Sequence, residues 1–288
     1  MHPILFKLGP LAVRSYGVLL ALSFLAGVYV ALWRARQRGL DPSRLLTMCL
    51  LIVASSIVGA RVLYVIPHWE EFIGHPFDII SPVQSSGDIG ITGLTMYGGV
   101  IAALATSIWY LKRHRQPVWR TADACAPSIA LGIGLTRIGC FLNGCCFGLP
   151  STLPWAVTFP ELSAAGALFP RTPLHPAQLY SSLYGFALFG ALLAVDRRDR
   201  YDGFLFALFL MIESVAHFTV DVFRYYEASM TLTTVGAFPI SVNQGLCLLL
   251  FGMGLFLMLR LRPRRTPQRS RRPARPGRRP TTATRRDR

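Results

Sequence analysis

Seven long apolar runs constrain the fold of this 288-residue chain more than any other feature. Each run approaches the roughly 20 residues that a helix needs to cross the hydrocarbon core of a bilayer. The runs lie at about 15–33, 45–66, 93–111, 121–141, 176–195, 203–224 and 241–259. The sequence therefore predicts an all-α, polytopic membrane protein with seven transmembrane helices.

The composition agrees with this class and argues against others. Hydrophobic residues make up 52% of the chain and charged residues only 15%, whereas a soluble domain carries about 25% charged residues. A water-soluble α/β enzyme and a disordered chain are therefore both disfavoured. Six cysteines in 288 residues are also too few for a small disulfide-stabilised scaffold.

The distribution of Lys and Arg among the loops predicts the orientation in the membrane. The loops 34–44, 112–120 and 196–200 and the segment 260–288 lie on one side and hold 24 of these residues. The opposite side holds three, which are Lys7, Arg14 and Arg171. Because cytoplasmic loops carry the excess of positive charge, the N-terminus is predicted to lie outside and the C-terminus in the cytoplasm.

The chain is expected to have two parts. Residues 1–261 form a seven-helix membrane domain with exterior loops at 67–92 and 146–175, and residues 262–288 form a disordered, Arg/Pro-rich cytoplasmic tail. The segment 260–288 contributes +12 of the formal net charge of +16. We therefore expect the tail to contact anionic membrane lipids and not nucleic acid.

Polar residues inside the spans are costly and usually mark function. The predicted topology brings several of them to the outer end of the helices: Tyr16, Arg61, Tyr97-Gly98-Gly99, Arg137, His175-Pro176 and Arg224. A single Arg at this depth is explained by snorkelling to the interface. Three Arg residues at the same depth favour an anion site, because guanidinium groups bind phosphate through paired hydrogen bonds. The anion expected at this depth is a phospholipid head group.

The sixth span carries a stripe of ionisable residues. Glu213, His217, Asp221 and Arg224 are spaced by four, four and three residues, so they are predicted to share one helix face. Such a face is expected to line a polar cavity. The alternative is a structural ladder of ion pairs that joins two helices.

The segment 136–148 is the most unusual stretch. Gly139, Gly144 and Gly148 favour a broken helix with backbone close to a ligand. Its Cys-x4-Cys-Cys spacing, formed by Cys140, Cys145 and Cys146, is not a standard zinc or redox pattern. We expect no metal here, and both a disulfide and small apolar packing remain open.

These motifs together resemble the prolipoprotein diacylglyceryl transferase family over about residues 12–255. The family signature Gly-Arg-x-Gly-Asn-Phe-x-Asn-Gly-Glu-x-x-Gly agrees at Arg137, Gly139, Phe141, Asn143, Gly144 and Gly148. The other matching residues are Tyr16-Gly17, Gly59-Ala60-Arg61, Tyr64, Gly98-Gly99, Asp123, His175-Pro176, Gln178-Leu179-Tyr180, Arg224 and Gln244. The resemblance implies a seven-span fold with the N-terminus outside.

The chain departs from the family at several polar positions. The signature's first Gly, first Asn and Glu are Thr136, Cys140 and Cys145 here, and the His before the Gly-Gly pair is Tyr97. In span six the family usually has Tyr, Arg and Glu, whereas this chain has Glu213, His217 and Asp221.

The family reaction, as the resemblance implies it, transfers a diacylglyceryl group from phosphatidylglycerol to the lipobox Cys thiol of a preprolipoprotein. Glycerol 1-phosphate is released. The implied partners are phosphatidylglycerol and the preprolipoprotein with its signal peptide, and no metal or organic cofactor is implied. The implied location is the bacterial inner (cytoplasmic) membrane, in which the protein would be multi-pass.

The resemblance also assigns expected roles. Arg137, helped by Arg61 or Arg224, would stabilise the leaving phosphate. The other residues expected to bind phospholipid are Tyr16, Gly98, Gly99, Asn143, Gly144, Gly148 and His175. The thiol also needs a base. Tyr97 would serve as this base if a cation lowered its pKa from about 10. The alternative base is His217, oriented by Asp221. His175 is a third candidate.

Three other interpretations stay open. The first is a divergent relative that uses another acceptor. The second is a membrane protein that binds phospholipid and catalyses no reaction. An intact phosphate-binding site without a working base would be consistent with it. The third is a thiol-redox membrane protein that uses Cys140, Cys145 and Cys146.

Overall fold

The protein is described by a computed structural model that covers residues 4–8, 11–79, 93–196, 200–226, 231–235 and 238–262. The helices are α1 (Ser15–Gln37), α2 (Pro42–Val65), α3 (Met96–Arg113), α4 (Val118–Asn143), α5 (Ala164–Leu168), α6 (Ala177–Asp196), α7 (Phe204–Asp221) and α8 (Val242–Leu261). Two antiparallel hairpins pair β1 (Ile4–Leu8) with β2 (Leu11–Arg14) and β3 (Thr231–Val235) with β4 (Phe238–Ser241). The predicted tail from residue 263 onward and residues 80–92 of the predicted loop lie outside the described residues.

The long helices coincide with the seven predicted spans to within a few residues. Six of them are long and apolar enough to cross a membrane. The remaining one is α3, which is 18 residues long and ends on Lys112 and Arg113. Large apolar side chains are exposed along these helices, for example Leu25, Leu50 and Leu183, which suits surfaces that face lipid. The all-α, polytopic membrane class is confirmed, whereas the number of crossings and the orientation stay predictions.

Small residues allow close helix packing at two places. A Cβ atom added to Gly98 of α3 would lie against the carbonyl oxygen of Gly59 and 2.7 Å from the Cβ of Leu63, both on α2. A Cβ added to Gly185 of α6 would lie 2.7 Å from the backbone nitrogen of Gly134 in α4. Close backbone approach of this kind stabilises helix pairs in membranes, where no hydrophobic force drives the helices together.

A polar network joins the helix ends on the side that is predicted to be cytoplasmic. Asp123 of α4 is buried and accepts hydrogen bonds from the backbone nitrogens of Gly203 (2.8 Å) and Phe206 (2.9 Å), so it caps the N-terminus of α7 from another helix. Arg38 lies 3.3 Å from the same carboxylate and also pairs with Asp196. The network satisfies amide groups that the first turn of a helix leaves unpaired.

The segment between α4 and α6 folds into a small cap over the opposite helix ends. Its core contains the buried side chains of Phe147, Phe159, Ala165 and Leu174. Ser163 caps the short helix α5 by accepting a bond from the backbone nitrogen of Gly166 at 3.1 Å. The predicted exterior loop 146–175 therefore forms a small cap with a hydrophobic core of its own.

The structure corrects the predicted end of the sixth span. Helix α7 ends at Asp221, so Arg224 is not on the helix and the predicted stripe keeps only three members. The reason is that the next residues bond to the cap. The carbonyl of Phe223 accepts from Leu149 at 2.8 Å, and the backbone nitrogen of Tyr225 donates to Phe147 at 3.1 Å. These bonds replace the ones that a longer helix would make.

Candidate active site

A chain of hydrogen bonds joins three helix ends beneath the cap. Tyr97 at the start of α3 donates from its hydroxyl to Asn243 Oδ1 at the start of α8 (3.1 Å). Asn243 Nδ2 donates to the hydroxyl of Tyr226 (2.9 Å), and that hydroxyl donates to Asp221 Oδ1 at the end of α7 (2.7 Å). Ser241 Oγ donates to the other oxygen of Asp221 at 3.2 Å. The structure thus brings Tyr97 and Asp221 into one network.

His217 lies between two carboxylates on α7. Its Nδ1 is 3.3 Å from Glu213 Oε1, and its Nε2 is 3.7 Å from Asp221 Oδ1. The hydroxyl of Tyr184 donates to the same oxygen of Glu213 at 3.1 Å. An ionised carboxylate can only accept, so the closer contact requires a hydrogen on Nδ1, and a neutral ring then keeps its lone pair on Nε2. Glu213 therefore orients the ring more directly than Asp221, the residue expected from the sequence.

Arg224 reaches the same network from beyond the end of α7. Its Nη1 lies 3.9 Å from Asp221 Oδ1, and its guanidinium lies 4.9 Å from the ring centre of Tyr226. Its Nε is buried and has no hydrogen-bond partner within the described part of the chain. An unpartnered buried donor is costly, so this nitrogen is suited to an incoming acceptor.

Arg137 on the last turns of α4 completes the positive charge of the site. It interacts electrostatically with Tyr184, Tyr226 and the thiols of Cys140 and Cys146, and also with Tyr16 of α1. Among the described residues its guanidinium makes no hydrogen bond or ion pair. A partly buried guanidinium with all of its donors free is chemically suited to an anion with paired oxygens.

Three cysteines lie at the end of α4, with Cys140 on its last turn and Cys145 and Cys146 on the turn that follows. Gly144 has a left-handed conformation (φ 70°), and the backbone nitrogen of Cys145 bonds back to the carbonyl of Cys140 at 3.2 Å. Gln178, which is fully buried, donates to the carbonyl of Cys145 at 2.8 Å. Cys146 is also left-handed (φ 57°), which is uncommon for a residue other than glycine.

The fold of this turn brings the three sulfur atoms within 4.8 Å of one another. Hydrogen bonds from the thiols of Cys140 and Cys145, together with the charges of Arg224 and Arg137, lower the pKa of the Cys146 thiol from its ordinary value. Asn143 lies within hydrogen-bonding reach of the Cys145 thiol. Within the described ranges, these thiols are the one group of three or more metal-ligating side chains close enough to hold an ion.

Several residues expected to bind phospholipid have structural contacts in this fold. Arg61 donates to the carbonyls of Asp78, Ile79 and Gly93 at 2.6 to 3.1 Å, so it fastens the segment between α2 and α3. Gly98 packs against α2, as described above, and a Cβ on its neighbour Gly99 would lie 3.3 Å from the carbonyl oxygen of Ser56. Their phospholipid-binding role stays a prediction.

The cap holds two further residues that the sequence selects. Gly148 lies so close to His175 and Phe223 that a Cβ on it would be 2.6 Å from the carbonyl oxygens of both. The ring nitrogen Nδ1 of His175 is 3.2 Å from the hydroxyl of Tyr180, to which Trp155 donates at 2.8 Å. These contacts hold the cap on the helix ends, and they give His175 a partner other than the His217 network.

Sequence reasoning missed four polar members of the network, which are Tyr184, Tyr226, Ser241 and Asn243. The sequence contains a signal that could have identified two of them. Tyr184 follows the matching residue Tyr180 by four positions and shares its face of α6, and Asn243 directly precedes the matching residue Gln244. The other two lie on connections between helices, where no periodicity predicts which way a side chain points.

Comparison with known proteins agrees with the residue-level resemblance. A family model described as prolipoprotein diacylglyceryl transferase matches residues 3–260. A Clostridium tetani protein named phosphatidylglycerol–prolipoprotein diacylglyceryl transferase is 34% identical over 224 residues, which is 78% of this chain and 86% of the relative. Proteins with the same name from Nostoc sp. and Campylobacter lari are each 30% identical. The first alignment covers 91% of this chain and 91% of the relative, and the second covers 89% and 92%.

Proposed function

The chain belongs to the prolipoprotein diacylglyceryl transferase family, and we propose that it transfers a diacylglyceryl group from phosphatidylglycerol to the lipobox Cys thiol of a preprolipoprotein. It is a transferase of lipoprotein biosynthesis and a multi-pass membrane protein. The relatives are bacterial enzymes whose names state phosphatidylglycerol and prolipoprotein. We place this chain in the bacterial inner membrane, with its catalytic end outside and its basic tail against anionic cytoplasmic lipids.

The free guanidinium of Arg137 is the observation that carries the proposal. In the transfer, the acceptor sulfur forms a bond to the terminal glyceryl carbon, and the bond from that carbon to the phosphate oxygen breaks. Glycerol 1-phosphate leaves with the electron pair, so negative charge grows on the phosphate. A bidentate guanidinium strengthens its hydrogen bonds as that charge develops. Arg137 has its donors free for this role, and the buried Nε of Arg224 offers one more.

His217 is the base that the geometry supports best. The Nδ1 contact with Glu213 leaves Nε2 to take the proton of the acceptor thiol. The imidazolium that results would be stabilised by Glu213 and by Asp221, whose carboxylate lies 3.7 Å from Nε2. Tyr97 is less suited, because its hydroxyl already donates to Asn243 and a phenol is a weak base near neutral pH. We propose that Tyr97 positions Asn243 and Tyr226.

Direct measurement of transfer tests the proposal. Purified protein would be given phosphatidylglycerol and a synthetic lipobox peptide, and the mass of the peptide would be followed. Arg137→Ala should lower kcat/KM by about 10²- to 10³-fold, the loss typical of removing one donor that stabilises a developing anion. Arg137→Lys should remain impaired, because an ammonium does not bind a phosphate through paired hydrogen bonds.

Arg120→Ala is the matched control. Arg120 pairs with Asp202 at the opposite helix ends, so its loss removes one positive charge and leaves the site intact. Wild-type transfer by Arg137→Ala would refute the assigned role. Arg137-dependent phosphatidylglycerol binding without mass gain on the peptide would favour a relative that uses another acceptor or only binds lipid.

A further inference from the structure

We propose that Cys140, Cys145 and Cys146 form a binding site for one thiophilic d¹⁰ cation, Cu(I) in first place, beside the anion-binding arginines. The assignment rests on the geometry of the thiols alone and does not depend on the transfer reaction. It also departs from the expectation that no metal binds at this Cys-x4-Cys-Cys spacing. The difference comes from backbone conformation, which spacing does not reveal.

The first step is how the turn directs the sulfur atoms. The left-handed Gly144 folds the chain back so that the backbone nitrogen of Cys145 bonds to the carbonyl of Cys140. Neighbouring side chains usually diverge, but Cys146 is itself left-handed, and its sulfur joins those of Cys140 and Cys145 within 4.8 Å. A left-handed non-glycine residue is energetically unfavourable and tends to persist at functional sites.

The second step is the match to a metal ion. With bonds of about 2.3 Å from the metal to sulfur, three ligands around one ion lie about 4 Å apart. The observed limit of 4.8 Å needs only small rotations of the side chains. Thiolates select Cu(I), Zn(II) and iron–sulfur clusters over hard cations. Because the described residues supply three ligands and no fourth at this distance, three-coordinate Cu(I) fits best, and Zn(II) would need a water to complete its tetrahedron.

The third step is the charge of the occupied site. Three thiolates with Cu(I) carry two negative charges. Arg137 lies one helical turn before Cys140 on α4, and Arg224 pairs with Gly148, two residues after Cys146, so two guanidinium groups are close enough in the fold to balance them. Nearby cations favour the thiolate form, which is the form that binds metals. Binding would release the thiol protons.

A metal titration of the full-length protein in detergent tests the site. The reduced, metal-free protein would be titrated with Cu(I) against a chromophoric copper chelator and, separately, with Zn(II) against a zinc chelator. We expect one Cu(I) retained per chain, with X-ray absorption showing a first shell of three sulfur atoms. Zn(II) retained with three sulfurs and one oxygen would support the site and change its preferred ion.

Variants identify the ligands. Cys145→Ser and Cys146→Asn should weaken binding by more than about 100-fold, since loss of outer-shell partners alone costs 10- to 100-fold. Asparagine tolerates the left-handed conformation of residue 146, so Cys146→Asn keeps the turn and removes the sulfur. Cys49→Ser is the matched control, because Cys49 is a free, partly buried thiol on α2 and its loss should leave binding unchanged.

Three results would overturn the proposal. One is failure of the well-folded wild-type protein to retain either ion. Another is equal retention by Cys145→Ser, Cys146→Asn and the wild type. The third is a disulfide among these three cysteines, identified by peptide mass mapping of metal-free protein purified without reductant, because the six cysteines are free in this structure and such a disulfide would remove the ligands. Transfer activity plays no part in these readouts, so failure of this site and failure of the proposed reaction are separable.

Discussion

At the scale of single residues, the candidate site keeps the arginines that we propose to bind an anion and differs from the family at the residues that we propose to transfer a proton. Arg137 and Arg224 match the family pattern and remain available to a phosphate. The family's His before the Gly-Gly pair is Tyr97 here, whereas His217 occurs where the family usually has Arg. The network explains how these changes fit together, because Tyr97 and His217 both connect to Asp221.

The role of His217 leads to a prediction at this scale. His217→Gln should lower kcat by about 10²- to 10⁴-fold, the usual contribution of a general base, while phosphatidylglycerol binding stays near the wild-type level. Glu213→Gln should cause a smaller loss, because it weakens the orientation of the ring and keeps the base. Single-turnover transfer and lipid binding measured side by side check both expectations.

His68→Gln serves as the control for this pair. His68 follows α2, and its ring stacks on the ring of Tyr64 with ring centres 4.3 Å apart. This contact is separate from the hydrogen-bond network around His217. Full transfer activity in His217→Gln would rule out His217 as the base and return attention to Tyr97 and His175.

At the scale of elements, helix contacts explain residues that the sequence assigns only to ligand binding. Gly98 belongs to the Gly-Gly pair of the resemblance, and the structure shows that it lets the backbone of α3 approach Gly59 of α2. The close approach places the start of α3, and with it Tyr97, within reach of Asn243 on α8. Packing and site geometry are therefore linked through one residue.

This link predicts the effect of a single methyl group. Gly98→Ala forces a Cβ against α2 and should destabilise the protein by about 1 to 3 kcal/mol, the usual cost of overpacking, and it should also lower transfer by displacing Tyr97. Gly190→Ala is the control, since a Cβ at Gly190 of α6 meets no atom within 4 Å. That variant should be neutral or more stable, because alanine is the better helix former.

The stabilities of the two alanine variants are compared by heating them in detergent and measuring the remaining folded protein by size-exclusion chromatography. A Gly98→Ala protein as stable as Gly190→Ala would mean that α2 and α3 are less closely packed than the structure indicates.

At the scale of the whole molecule, the open question is the topology. Both termini lie on the same side if only the six most apolar helices cross the membrane, and on opposite sides if α3 crosses as well. The charge distribution predicts seven crossings, because the loops on either side of α3 differ sharply in Lys and Arg content.

Reporter fusions distinguish the two topologies. Alkaline phosphatase joined after Gly74 should be active, since the seven-span prediction places that residue outside. The same reporter joined after Gln116, which follows α3, should be inactive, and a fluorescent protein at that position should fold in the cytoplasm. Active phosphatase at both positions would show that α3 does not cross the membrane.

The class of the protein and the positions of its long helices could be predicted from the amino-acid sequence. A span needs about 20 consecutive apolar residues, so this information is local, and the predicted runs fall on α1 to α4 and α6 to α8. The sequence also selected Arg137, His217 and Asp221, because polar groups within apolar runs stand out without any knowledge of their neighbours.

Which of these groups meet depends on the three-dimensional fold. Asp123 caps α7 from α4, Tyr97 reaches Asn243 across 146 positions of the chain, and α7 ends early to pair with the cap. The sulfur atoms of Cys140, Cys145 and Cys146 converge through two left-handed residues. Such contacts depend on helix packing and backbone dihedral angles, and neither hydropathy nor spacing along the chain specifies them.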